Sequence, residues 1–118
     1  RDVLNLLGFI TADVHPSFRP LFNPDYFVSQ AEAQRELRQR VSARIVRQLA
    51  LLERRLETRE YLSGDQLGVA DPYALVFSLW CKHLGVDYPT KLGQLAQRVA
   101  ARPGYQRALA IEQAARAA

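Results

Sequence analysis

Apolar residues recur along this chain at steps of three and four, without the period-two alternation of a half-buried strand, so the pattern predicts helices throughout. Leu4, Leu7, Ile10 and Val14 share one face of a first helix. That helix is expected to stop near His15, because Pro16 disfavours helical geometry in the residue before it. Residues 16–25 set Pro16, Pro20 and Pro24 among Phe18, Leu21 and Phe22, which reads as a turn-rich segment with apolar side chains to pack down. A long second helix follows, with Ser29 as N-cap and Glu32 three residues on completing a capping box. Its stripe is Leu37, Val41, Ile45, Leu49, Leu52 and Leu56, and it should end between Arg59 and Leu62, before the Ser63-Gly64-Asp65 turn.

The third helix has a different pattern. From Val69 to Leu84 almost every face is apolar, with Tyr73, Leu75, Val76, Phe77, Leu79, Trp80 and Cys81 crowded together. A helix apolar all round is expected at the centre of a bundle. Gly85 supplies its stop. A fourth helix fits Thr90 to Arg102 on Leu92, Leu95 and Val99, and Pro103 ends it while opening a fifth that carries Tyr105, Leu109 and Ile111. The Ala-rich tail after Glu112 is expected to fray. The fold class predicted is all-α, a bundle of about five helices around a central buried one, forming a single domain over residues 1–118.

Composition changes this picture little. The chain has 118 residues, 48% apolar and 24% charged, enough for one domain with its own core. The longest apolar run, Ala74 to Cys81, is far shorter than the roughly 20 residues of a membrane span, so no membrane partner is expected. The single cysteine and the lack of a signal-peptide pattern point to a cytoplasmic setting. A net charge of +4 raises the question of nucleic acid. The basic residues, however, alternate with acids from Arg35 to Glu60, as on a solvated helix face, so no nucleic-acid partner is expected. With no methionine, and with Arg1-Asp2 leading straight into periodic apolar residues, the chain reads as a fragment of a longer protein.

The buried helix needs partners for its first N–H groups. With Gly68 as N-cap and Asp71 at N3, the Asp71 carboxylate can accept from the Gly68 N–H and complement the helix dipole. Gly68 lacks the hydroxyl of a full capping box, so this start rests on Asp71.

The run from Tyr61 through Gly64, Leu67, Gly68, Val69, Ala70 and Asp71 to Tyr73 resembles the loop and core-helix start of the cytosolic glutathione transferases, with Gly68 where that family usually has Ser or Thr. Val99-Ala100-Ala101-Arg102-Pro103 is similar to the family's late arginine-proline step. Leu7 through His15, with Phe18, Pro20, Leu21, Phe22 and Pro24, looks like the opening helix and turn of the bacterial beta class, and Trp80 sits where that class tends to carry tryptophan. The resemblance implies the helical C-terminal domain of a two-domain enzyme. The thioredoxin-like N-terminal domain, which binds glutathione and stabilises its thiolate, is then missing from this sequence.

The resemblance also implies a site. His15 would help bind glutathione, with Ala12, Asp13 and Val14 in the contacting segment. Phe18, Phe22 and Trp80 would line an apolar wall for an electrophilic co-substrate. Read without the resemblance, His15 is a turn histidine, Asp13 a solvated acid and the aromatics are core. Cys81 reads as a small buried apolar residue, and Lys82 and His83 suit the helix C-terminus. Two histidines without a Cys/His/acid cluster predict no metal site, and no cofactor is expected beyond glutathione as co-substrate. No catalytic residue is expected within these 118 residues. The parent would be a homodimeric transferase and this chain alone inactive. The rival reading is a non-catalytic helical interaction module.

Overall fold

A computed structural model describes residues 2–117. The described residues are all-α, with no strand beyond an isolated Tyr61–Gly64 bridge. Five helices have eight residues or more: α1 (Asp2–Phe9), α4 (Ala31–Arg55), α5 (Pro72–Leu84), α6 (Thr90–Ala100) and α7 (Pro103–Ala117). Between α1 and α4 lie a π-helical segment (Ile10–Val14), the short helices α2 (His15–Ser17) and α3 (Arg19–Phe22), and a 3₁₀ turn (Pro24–Tyr26). The core joins Leu6, Ile10, Val14 and Phe18 from the first helical path to Ile45, Leu49 and Leu52 of α4, Phe77 and Cys81 of α5, and Leu92 and Leu95 of α6.

The first path differs from expectation in two ways. It does not stop at His15, and its buried line is Leu6, Ile10, Val14 and Phe18, while Leu4 is 73% exposed. Both follow from the π turn, in which the His15 N–H donates to the Ile10 carbonyl five residues back. Steps of four overshoot a 3.6-residue turn by about 40° each, so three steps would drift about 120° around a regular helix. The extra residue of a π turn gives back about 100°. The four side chains therefore stay on one line, and Pro16 and Pro20 each fall in the first turn of a new short helix, where a missing N–H costs least.

The long helix begins at Ala31, with Gln30 as N-cap and no side-chain cap bond, so the Ser29–Glu32 box does not form. Gln34 secures this end instead, donating through Nε2 to Asp25 Oδ1 (2.5 Å) and to the Val28 carbonyl (3.0 Å). The helix ends at Arg55, earlier than predicted, because Arg55 Nε turns to the Leu62 carbonyl at 2.8 Å and ties down the following loop. The fourth helix is two residues shorter than predicted, closing at Ala100 ahead of Pro103. The last helix runs to Ala117 although it buries no residue completely; alanine is the best helix former, which offsets the lack of packing.

The central helix is fully buried on one face, and Tyr73, Leu75, Val76 and Trp80 on its flanks are half-buried against the core. Asp71, Ala74, Phe77, Cys81 and Leu84 point inward, whereas Leu79 is 53% exposed and Val69, before the helix, 65%. An apolar composition on every face did not translate into burial on every face. The helix packs chiefly on α6 and leaves one side open. Regular α structure starts at Pro72, not Val69, because residues 68–71 form a tight turn closed by the Asp71 N–H on the Gly68 carbonyl (3.2 Å) and Pro72 has no N–H to give.

The expected bond from the Gly68 N–H to Asp71 is present, at 2.6 Å to Oδ2. Asp71 does more than the sequence suggests: its Oδ1 accepts from the Leu62 N–H at 2.9 Å, and the residue has no exposed surface. One carboxylate thus holds both the helix start and the loop before it. At Gly68 a side-chain Cβ would fall 2.6 Å from Ser63 Oγ, so the family's hydroxyl could not enter here without Ser63 moving.

Candidate functional site

The π turn and the two short helices present one side of the first path to the face of α5, and an open groove of about 610 Å³ lies between them. Its apolar floor is aromatic. The Trp80 indole stands 5.2 Å from the Phe18 ring and 5.5 Å from the Phe22 ring, both edge-on. Such tilted aromatic contacts are favoured by the ring quadrupoles. Phe18 is fully buried and stacks on Phe77 at 5.4 Å, which fixes the floor to the core, while Phe22 is 39% exposed.

The other edge of the groove is polar. Thr11, His15, Arg19 and Asn23 line it at intervals of four residues, with Pro16 between. The His15 ring is exposed and lies 5.1 Å from Trp80 and 6.5 Å from Tyr73, a tilted contact that orients the imidazole over the floor. Arg19 holds its guanidinium 5.4 Å from the centre of the Tyr26 ring. Thr11 Oγ1 donates to the Leu7 carbonyl at 2.8 Å. No acidic side chain lines the groove. A mostly apolar concavity with a few polar groups on one side is the usual form of a small-molecule site.

Of the residues singled out from sequence, the structure brings His15, Phe18, Phe22 and Trp80 together in this groove. Ala12, Asp13 and Val14 do not line it. Val14 has no exposed surface and belongs to the core. Its burial follows from the line of fours set by the π turn. Ala12 and Asp13 are exposed on the π segment. The Asp13 carbonyl accepts from Ser17 Oγ (2.6 Å) and Gln48 Nε2 (3.4 Å), and its carboxylate forms no ion pair among the described residues. Asp71 and Gly68 lie away from the groove lining, in the turn described above.

Thr11, Arg19 and Asn23 are groove residues that the sequence reading did not pick out. The signal was present: polar side chains at strict steps of four run parallel to the buried line Leu6, Ile10, Val14 and Phe18. Among the described residues no group of three metal-ligating side chains converges, and no helix is long and apolar enough to cross a membrane.

An all-helical domain with a groove between its first helical path and its central helix, and a buried aspartate at that helix's start, matches the profile of one family. Residues 10–103 fit the glutathione S-transferase, C-terminal domain, and the chain belongs to that family. Two curated relatives are similar over nearly all of it. Glutathione S-transferase GST-4.5 of Xanthomonas campestris pv. campestris is 28% identical over 113 residues, covering 94% of this chain and 55% of that protein. Glutathione S-transferase GstA of Escherichia coli O157:H7 is 27% identical over 108 residues, covering 90% of this chain and 50% of that protein. The chain therefore spans about half the length of the curated relatives it matches.

Proposed function

We propose that this domain forms the co-substrate wall of a cytoplasmic, homodimeric glutathione transferase of the bacterial beta-like class. A thioredoxin-like domain of the whole protein holds glutathione and stabilises its thiolate. The thiolate sulfur attacks an electrophilic carbon, a C–S bond forms, and the leaving group departs with its electron pair. The thiol proton has already gone to solvent. The observation that carries this reading is the groove itself, where an exposed imidazole stands 5.1 Å from the indole of an aromatic floor. His15 donates a hydrogen bond to glutathione at the mouth, while Phe18, Phe22 and Trp80 receive the apolar body of the electrophile. Detoxification of reactive apolar compounds is the matching role.

The test is His15→Ala in the full-length protein. The loss of one hydrogen bond to a charged partner should raise the glutathione KM or lower kcat by about tenfold. Kinetics equal to wild type would remove His15 from the site. The 118-residue chain alone should not conjugate a standard electrophile such as 1-chloro-2,4-dinitrobenzene. Conjugation by it would contradict the assignment of thiolate activation to another domain.

A further inference from the structure

The polar edge of the groove has a chemical bias. Three of its four members, His15, Arg19 and Asn23, carry nitrogen donors, Arg19 with a permanent positive charge, and no carboxylate faces them from the groove lining. Arg19 forms no ion pair among the described residues, although each of the three ion pairs that do form uses an arginine. Its guanidinium carbon lies 5.4 Å from the centre of the Tyr26 ring, a cation–π contact, and no protein carboxylate among the described residues takes its N–H groups. Arg19 is four residues after His15 and three before Phe22, so these donors stand beside the aromatic floor.

A cation beside an aromatic ring, without an ion-pair partner among the described residues, at the lip of an aromatic groove is suited to a planar anion attached to an apolar body. A carboxylate matches the guanidinium fork with two parallel hydrogen bonds. We propose that this groove selects co-substrates that carry a carboxylate on an aromatic or aryl-alkyl body, and that Arg19 is the residue that reads the carboxylate. The proposal rests on the reading of the groove as the electrophile site. Glutathione also carries carboxylates, so the test must separate the two sources.

The first measurement uses Trp80, the only tryptophan of the chain, as a fluorescent reporter inside the groove. The 118-residue chain is titrated with 4-phenylbutanoate and with the neutral 4-phenylbutanamide. The carboxylate should bind about five- to tenfold more tightly at low salt, as for an ion pair that remains partly in water. Arg19→Gln should abolish that preference and Arg19→Lys should retain part of it. Both changes are at an exposed position, so both variants should fold. The second measurement uses the full-length protein with 4-chloro-3-nitrobenzoate and 4-chloro-3-nitrobenzamide, each rate normalised to its uncatalysed reaction with glutathione. The kcat/KM ratio of acid to amide should fall by about fivefold in Arg19→Gln, with the glutathione KM unchanged.

Equal binding of acid and amide, or a preference that survives Arg19→Gln, overturns the proposal. A raised glutathione KM with an unchanged acid-to-amide ratio overturns it too, by assigning Arg19 to glutathione. If neither electrophile is conjugated but the Trp80 titration shows the Arg19-dependent preference, the transferase reading fails while the carboxylate site stands.

Discussion

Replacing Asp71 by alanine should loosen two segments at once. Its Oδ1 accepts from the Leu62 N–H at 2.9 Å and its Oδ2 from the Gly68 N–H at 2.6 Å. Leu62 is completely buried, so its N–H would be left without water or protein partner at a cost of about 1–3 kcal/mol. Gly68 is half-buried, and its N–H would recover some hydration, for a loss of about 1 kcal/mol. The sum is about 2–4 kcal/mol. For 118 residues the entropy of unfolding near the midpoint is about 0.25 kcal/mol/K, so Tm should fall by about 8–16 °C. Asp71→Asn keeps the shape but presents one acceptor and one donor to two N–H groups, and should recover at most about half of the loss. Circular dichroism at 222 nm through thermal and urea unfolding is the assay. A Tm within about 3 °C of wild type for Asp71→Ala would refute the reasoning, since it corresponds to less than one unmet buried N–H.

Two further predictions come from neighbouring contacts. Glu53 reaches from α4 to the start of α6, accepting from the Lys91 N–H (3.0 Å) and the Leu92 N–H (2.8 Å), so Glu53→Ala should cost about 1–2 kcal/mol, and urea midpoints matching wild type would show that α6 is held without it. The protein should also lose stability in alkali. Burial pushes the Cys81 thiol up from its ordinary 9.0 to about 11. The Tyr88 hydroxyl, which donates to the Ala74 carbonyl at 2.6 Å, is likewise pushed up by burial, then by the negative charge of Cys81 and of Glu53. Above pH 9 the unfolded chain therefore binds fewer protons than the folded one, so unfolding free energy falls as pH rises towards 11. Urea midpoints measured from pH 8 to 10.5 should drop, less steeply in Cys81→Ala; a flat profile in the wild-type chain would contradict the burial argument.

The helical count was legible in the sequence for physical reasons. Burial selects apolar side chains at a helical period, and Ile45, Leu49, Leu52, Leu92, Leu95 and Val99 behave as that rule requires. Phe18, Phe22 and Trp80, which meet across two elements, are singled out by the family resemblance; the apolar pattern alone reads them as core. The failures have physical causes too. Ser29 and Glu32 have the letters of a capping box, but Gln34 takes over the helix start through a contact nine residues back. Leu79 and Val69 are as apolar as their buried neighbours, and composition carries no information about which side of α5 is left uncovered. Arg19 looks like any surface arginine until the Tyr26 ring beneath it and the absence of acids in the groove lining are seen together.

The π turn at Ile10–Val14 carries one residue more than a regular helix needs to join the same two flanks. Deleting an exposed residue there, such as Ala12, would close the segment into regular helix and keep both flanks in register, because the lost residue removes the same rotation of about 100° that the π turn gives back. Straightening the turn with all its residues in place would instead rotate one flank by about 100°. Phe18 would then leave the core, and His15 and Arg19 would turn away from Trp80 with no side chain of the groove changed. The chemistry of this face thus depends on one backbone hydrogen-bond pattern as much as on side-chain identity.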